Sequence, residues 1–110
     1  MPTPARIRST IHALADPPAD VREISDFHKA LADPTRLRLL QRLATDTATV
    51  TELQEHVDLS QPLVSWHLRR LRAAGLIETR RAGREVICSL ARDAIDRFHE
   101  RERRLLGLAG

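Results

Sequence analysis

Residues 49–90, TVTELQEHVDLSQPLVSWHLRRLRAAGLIETRRAGREVICSL, change their apolar period once, and that change decides the fold. As far as Gly75 the apolar residues recur at helical spacing, first Leu53 and Val57, then Val64, Leu68 and Leu71. From Ile77 to Leu90 alternation takes over, with Ala82-Gly83 in the middle and Val86, Cys88 and Leu90 on one face, which predicts a β-hairpin. Thr49 and Glu52 have capping-box spacing and launch a short helix through Leu53 and Val57, with Leu59 closing the turn. Ser60 is a good N-cap for the next helix, Pro62 is tolerated in its first turn, and Gly75 supplies the left-handed residue that ends it near Ala74.

Upstream, Asp20 with Glu23 predicts the start of a helix carrying Val21, Ile24, Phe27 and Leu31 on one stripe, ended by Asp33-Pro34. The same pair starts another helix, with Asp33 as cap and Pro34 in the first position, and Leu37, Leu40 and Leu43 are expected on its buried side. Ile7, Ile11 and Leu14 at i, i+4 and i+7 suggest a short amphipathic helix, or a loose arm, within residues 1–19. Downstream, a helix from about 91 to 106 has Ala94, Ile95, Phe98, Leu105 and Leu106 as an apolar stripe that Arg101 and Glu102 interrupt. The expected architecture is mainly α with a two-stranded β-wing: one domain over 20–110, with a helix-turn-helix at 49–75, a wing at 77–90 and a closing helix at 91–106.

Composition narrows the function. The 110 residues carry a formal net charge of only +3, but acids outnumber bases nine to five over residues 16–58. Residues 60–84 hold Arg69, Arg70, Arg72, Arg80, Arg81 and Arg84 against Glu78 alone. Phosphate neutralisation requires cations gathered on one surface, so double-stranded DNA is the first partner to consider. No continuous apolar stretch suits a secretory signal or a bilayer span, and the single Cys88 can form no intrachain disulfide or multi-cysteine zinc framework. A soluble protein of the reducing cytoplasm, with no membrane partner, is the expectation. Neither a Gly-rich phosphate loop, nor a nucleophile elbow, nor a paired-carboxylate pocket is present, so an enzyme is not expected.

Two short helices followed at once by an arginine-rich hairpin form the arrangement that sets one helix in the major groove and a wing on the backbone. At 100° per residue, the helix after Ser60 turns Val64, Leu68 and Leu71 inward and leaves Pro62, Ser65, Trp66, Arg69 and Arg70 outward. Gln61 and Ser65 suit base edges, glutamine because it bonds adenine N6 and N7 together, and Trp66 suits a thymine methyl or a sugar. Arg69, Arg70, Arg80, Arg81 and Arg84 suit phosphates. The competing reading leaves this side as a solvated face, with Trp66 folded back on the preceding helix or the wing. Ile24, Phe27 and Leu31, with Ile95 and Phe98, form more apolar surface than a small monomer is expected to cover, which points to a homodimer reading an inverted repeat.

Residues 29–40, KALADPTRLRLL, and 59–68, LSQPLVSWHL, followed by Ala74-Gly75-Leu76-Ile77 and the Arg80-Arg81-Ala82-Gly83-Arg84 wing, resemble the ArsR/SmtB winged-helix regulators over roughly residues 24–90. That resemblance implies dimerisation through the first and last helices, with the fourth helix in the groove. Many such regulators release DNA on binding a metal. Here the thiolate positions of the family's third helix fall on Gln54 and His56, and its last-helix zinc positions fall on Arg92, Ala94, Leu105 and Leu108. What remains is the series Asp93, Asp96, His99 and Glu102 at i,i+3 spacing, which can offer nitrogen and oxygen ligands to Ni²⁺ or Zn²⁺, with His12 and His28 as added candidates. Against it stand Asp93 with Arg97 and Glu100 with Arg104, spaced as ordinary surface ion pairs. The alternatives to a DNA-binding regulator without such a signal are therefore a metal-responsive regulator and a winged-helix module that binds a co-regulator protein. Cys88 is expected to be a small core residue and not a redox sensor, for want of a second thiol.

Overall fold

The computed structural model describes residues 19–108; Ile7, Ile11, Leu14 and His12 of the proposed arm lie outside them. Helix α1 spans Ala19–Leu31, α2 Pro34–Leu43, α3 Val50–Val57, α4 Gln61–Ala73 and α5 Arg92–Leu105. Strands β2, Ile77–Ala82, and β3, Glu85–Leu90, form the hairpin. A two-residue strand β1, Ala48–Thr49, adds to it, so the sheet has three strands in the order β1-β3-β2 and not the expected two. Ala48 pairs with Cys88 and Thr49 with Ile87, both antiparallel. The residue that caps α3 thus belongs to the sheet, which fixes α3 against the wing at its root.

Local chemistry sets most of the boundaries. Asp33 accepts from the Arg36 amide at 3.1 Å with Pro34 behind it, as expected. Thr49 and Glu52 exchange both capping-box bonds, at 3.0 and 3.1 Å. Hydrogen bonding of its carboxylate by the Thr49 amide, and by the Thr49 side chain, holds the Glu52 carboxyl below its ordinary value. Asp58, at φ 54°, makes the left-handed turn between α3 and α4, a conformation that short Asp side chains tolerate. Ser60 occupies the cap position of α4, but its side chain makes no capping bond. Gly75, at φ +80°, ends α4: its amide bonds the Arg72 carbonyl and the Leu76 amide bonds the Leu71 carbonyl, both at 3.0 Å. This is a Schellman closure, sealed by the buried Leu71 and Leu76. Gly83, at φ +65°, opens the two-residue turn of the wing between the paired Ala82 and Glu85.

One core joins α1 to α4 and the sheet through Phe27, Leu39, Leu53, Leu71, Leu76 and Cys88, all essentially inaccessible. Three expectations need correction. Asp20 lies inside the first turn of α1, where its carboxylate accepts from the Val21 amide, and does not precede the helix. Val21 and Leu37 are exposed, at 36% and 49%; in α2 the buried side is Arg36, Leu39, Leu40 and Leu43, because a buried guanidinium takes a core position and turns the stripe. In α5 no residue is fully buried, and Leu105 and Leu106 stay exposed. Among the described residues no helix is long and apolar enough to cross a membrane.

Burial works to raise the Asp33 carboxyl, but the Arg36 amide and the guanidinium beside it outweigh that and hold it below its ordinary value. Asp33→Ala is therefore expected to cost about 1 kcal/mol of stability in urea unfolding at neutral pH. A depressed carboxyl contributes above its unfolded value and loses its contribution as the pH falls through the folded one, so the difference from wild type should close in acid. Burial also pushes the Cys88 thiol up. Native protein should accordingly be alkylated at Cys88 about a hundredfold more slowly than protein unfolded in urea, as read by mass spectrometry.

Candidate nucleic-acid interface

Helix α4 is anchored by Val64, His67, Leu68 and Leu71, all buried, and this fixes which side chains remain outside. Gln61, Pro62, Trp66, Arg69 and Arg70 are exposed and Ser65 is half-buried, in agreement with the helical projection. Gln61 Nε2 donates to Ser65 Oγ at 2.9 Å, so the two polar groups on the first turns of α4 are already paired with each other. Arg80, Arg81 and Arg84 are exposed on the hairpin.

A cleft of about 400 Å³ runs between α4, the start of α3 and the wing. Gln61, Ser65, Arg69, Arg72 and Arg84 line it, while Leu68, Val86 and the buried Cys88 are among its apolar lining. Arg69 and Arg72 of α4 and Arg84 of the wing thus share one concave surface, while Arg70, Arg80 and Arg81 are not part of its lining. Glu85 is the acid on that wall. Arg72 was not singled out from the sequence: its Nη1 donates to Thr79 Oγ1 at 3.2 Å and ties the recognition-type helix to the first wing strand. Its place eleven residues after Gln61, nearly the same angular position, is the signal that locates it.

Trp66 is exposed, as the projection has it, but it is not free of neighbours. Its ring is 45% exposed, yet it packs edge-on against His67, with centroids 4.9 Å apart, and has the guanidinium carbons of Arg36 and Arg70 at 5.8 and 5.5 Å. The indole therefore leans toward α2, and Arg70 lies over it instead of extending freely. His67 is buried, as expected of a residue packed beside the helix-turn-helix core.

Of the candidate metal ligands among the described residues, only His28 and Glu102 are in direct contact. Glu102 is engaged by Nε2 of His28, reaching across from α1, and His99 stands edge-on to the Phe27 ring with centroids 5.3 Å apart. Among the described residues no group of three or more His, Cys, Asp or Glu is placed to hold a metal ion. The series Asp93, Asp96, His99 and Glu102 winds from the exposed side of α5, at Asp93 and Asp96, to the side facing α1, at Glu102, and on the exposed side Glu100 and Arg104 form the expected i,i+4 pair at 3.8 Å. Of the five apolar residues assigned to a dimer seam, Ile24 and Phe27 are buried within one chain, with Phe27 stacked on Phe98 at 4.8 Å, while Leu31, Ile95 and Phe98 pack half-buried against the same core and keep part of their surface exposed. The apolar side chains left exposed on α1 and at the end of α5 are Val21, Leu105, Leu106 and Leu108.

Comparison with known proteins agrees with this geometry. A family model described as a helix-turn-helix domain matches residues 31–80. A transcriptional repressor SmtB homolog of Synechocystis is 43% identical over 70 residues, which cover 64% of this chain and 53% of that protein. The chain spans about half the length of the curated relatives it matches. Among solved structures, an ArsR family transcriptional regulator superposes with a TM-score of 0.64 at 31% identity, covering 77% of this chain and 97% of the other. A homodimeric winged helix-turn-helix DNA-binding domain of Mycobacterium bovis, a possible ArsR-family regulator, gives 0.66 at 28% identity, covering 72% and 74%. With the capped α3-turn-α4 pair, the arginine wing and these matches, the chain belongs to the ArsR/SmtB family of winged helix-turn-helix regulators.

Proposed function

We propose that this protein is a sequence-specific, double-stranded-DNA-binding transcriptional regulator that acts as a homodimer on an inverted repeat in the cytoplasm, and that it is not an enzyme. The observation that carries the proposal is the single concave surface on which the exposed side of α4 and the wing present Gln61, Ser65, Arg69, Arg72 and Arg84 together. In this reading α4 enters the major groove end-on, with Gln61 and Ser65 at base edges and with Ser60, Pro62 and the exposed face of Trp66 against the sugar edge. Arg69, Arg70, Arg80, Arg81 and Arg84 hold phosphates. The relatives named as repressors, and the homodimeric DNA-binding domain among the structural neighbours, support it.

The dimer seam is assigned to Val21 of α1 and to Leu105, Leu106 and Leu108 at the end of α5, because exposed apolar side chains on the two helices of a small chain are best covered by a second copy across a two-fold axis. Such a dimer sets its two recognition helices about 34–36 Å apart, one turn of duplex.

Fluorescence anisotropy on the duplex upstream of the protein's own gene tests the reading. Gln61→Ala should lose about 1–3 kcal/mol of discrimination against altered half-sites. Arg84→Ala should weaken binding to all sequences and flatten the salt dependence by about one unit of slope. Unchanged binding in both variants rejects the interface. Leu106→Glu should shift the sedimenting species to monomer with the helical spectrum intact; a persistent dimer rejects the seam.

A further inference from the structure

Arg36 lies on α2, away from the groove-facing elements, and is 7% exposed. A guanidinium so placed needs every N–H satisfied and its charge balanced. Nε donates to the Ala30 carbonyl at 2.7 Å and Nη2 to the Lys29 carbonyl at 3.2 Å, both among the last turn of α1, whose carbonyls have no partner within the helix. The negative end of the α1 dipole and the Asp33 carboxylate face the charge. The remaining bond crosses to α4: Nη1 meets His67 Nδ1 at 3.2 Å. Because a guanidinium only donates, Nδ1 is the acceptor and the ring hydrogen sits on Nε2. His67 then supports Trp66 edge-on, Arg36 itself stands 5.8 Å from the indole centroid, and Arg70 covers the ring at 5.5 Å.

We propose that Arg36 is a positioning residue for the groove-facing side of α4: it fastens His67 and Trp66 to the carboxyl end of α1, so that the indole and the Arg70 guanidinium laid on it are set before DNA arrives. The proposal rests on the DNA-binding function above. It adds that α1, which carries part of the assigned dimer seam, is joined to the recognition helix by one side chain whose three bonds span α1 and α4. A lysine at this position keeps the charge but can reproduce neither the planar fork nor the three simultaneous bonds.

Trp66 is the single tryptophan of the chain, so its fluorescence reports on this site alone. Arg36→Lys should keep the far-ultraviolet spectrum, raise the acrylamide quenching constant of the free protein about twofold and lower DNA affinity about fivefold, at an unchanged salt slope because no phosphate contact is lost. In a Trp66→Ala background the same substitution should cost no further affinity, whereas a general structural role would cost the same factor with or without the indole. An undiminished loss in that background, or unchanged quenching in Arg36→Lys, overturns the proposal. If Arg36→Lys does not fold, His67→Phe, which removes only the acceptor, should give the same rise in quenching, and its absence overturns the proposal equally. Failure of the wild-type protein to bind any duplex rejects the function proposed above, while the quenching measurements on the free protein still decide whether Arg36 sets Trp66.

Discussion

The burial of one side of α4 is the constraint on which the remaining structure depends. Val64 and Leu71 are wholly inaccessible and Leu68 nearly so, and they share one core with Leu53 of α3, Leu76 after the helix and Cys88 of β3. Each such aliphatic side chain contributes about 1.5–3 kcal/mol on burial, far more than any surface arginine contributes to folding. The rotation of α4 about its own axis is therefore set by apolar packing, and the polar side follows as its complement. The Schellman closure at Gly75 then fixes where the helix stops, and the Arg72 to Thr79 bond fixes the first wing strand beside it. Loss of any of these would scatter the arginines that the packing now gathers on one wall.

Features written in neighbouring residues were legible in the sequence. Asp33-Pro34, the Thr49 and Glu52 box and Gly75 each act through bonds that close within five residues, and each is formed as the sequence indicates. Features that need a distant partner were not. β1 is two residues long and exists only because Ala48 finds Cys88 forty residues later. Periodicity put Leu37 inside because it assumes that no charge occupies a core position, and Arg36 does so by capping a different helix. For the metal series, i,i+3 spacing puts only neighbours on a shared face, and the whole run from Asp93 to Glu102 turns about half-way round α5; Glu102 meets His28 of α1, which the sequence offered only as an added ligand. Of the interface, charge asymmetry and helical projection identified the wall. They did not show that Trp66 is held beside Arg36 and His67, since Arg36 is a position that periodicity left outside and that lies thirty residues away.

The α1–α5 pair shows how a helix with little buried surface is still held in place. α5 buries no residue completely, and its attachment comes from the stacked Phe27 and Phe98 rings, with Arg101 over Phe98 at 4.9 Å. The Arg101–Glu23 ion pair and the His28–Glu102 hydrogen bond flank the stack. Arg101 and Glu102, which interrupt the apolar stripe of α5 in the sequence, are therefore the residues that bind it to α1. Beyond them Leu105, Leu106 and Leu108 extend past the reach of α1's core-facing side and stay uncovered. The interruption separates a part of α5 used inside the chain from a part left exposed, and Ile24 and Phe27 belong with the first.

The bond between Gln61 and Ser65 raises the question of whether it must break before α4 reads a base. A glutamine amide has two N–H groups and one carbonyl. Bidentate recognition of adenine uses one N–H, to N7, and the carbonyl, from N6, which leaves the second N–H for Ser65 Oγ. Ser65 accepts in this bond, so its own hydroxyl hydrogen stays free for a base edge or a phosphate. The pair can thus persist through docking, and it restricts the Gln61 side chain to few rotamers before contact, which lowers the ordering cost of about 0.5–1.5 kcal/mol that a free, flexible side chain incurs at an interface. Arginines on the wing have no such restraint among the bonds found in the structure, so their ordering cost remains and their contribution is mainly the release of counterions. Under the proposed function, discrimination and electrostatic hold therefore fall on different residues for a physical reason: α4's first turns are prearranged by a short polar bond, while charges on the wing are effective without being fixed.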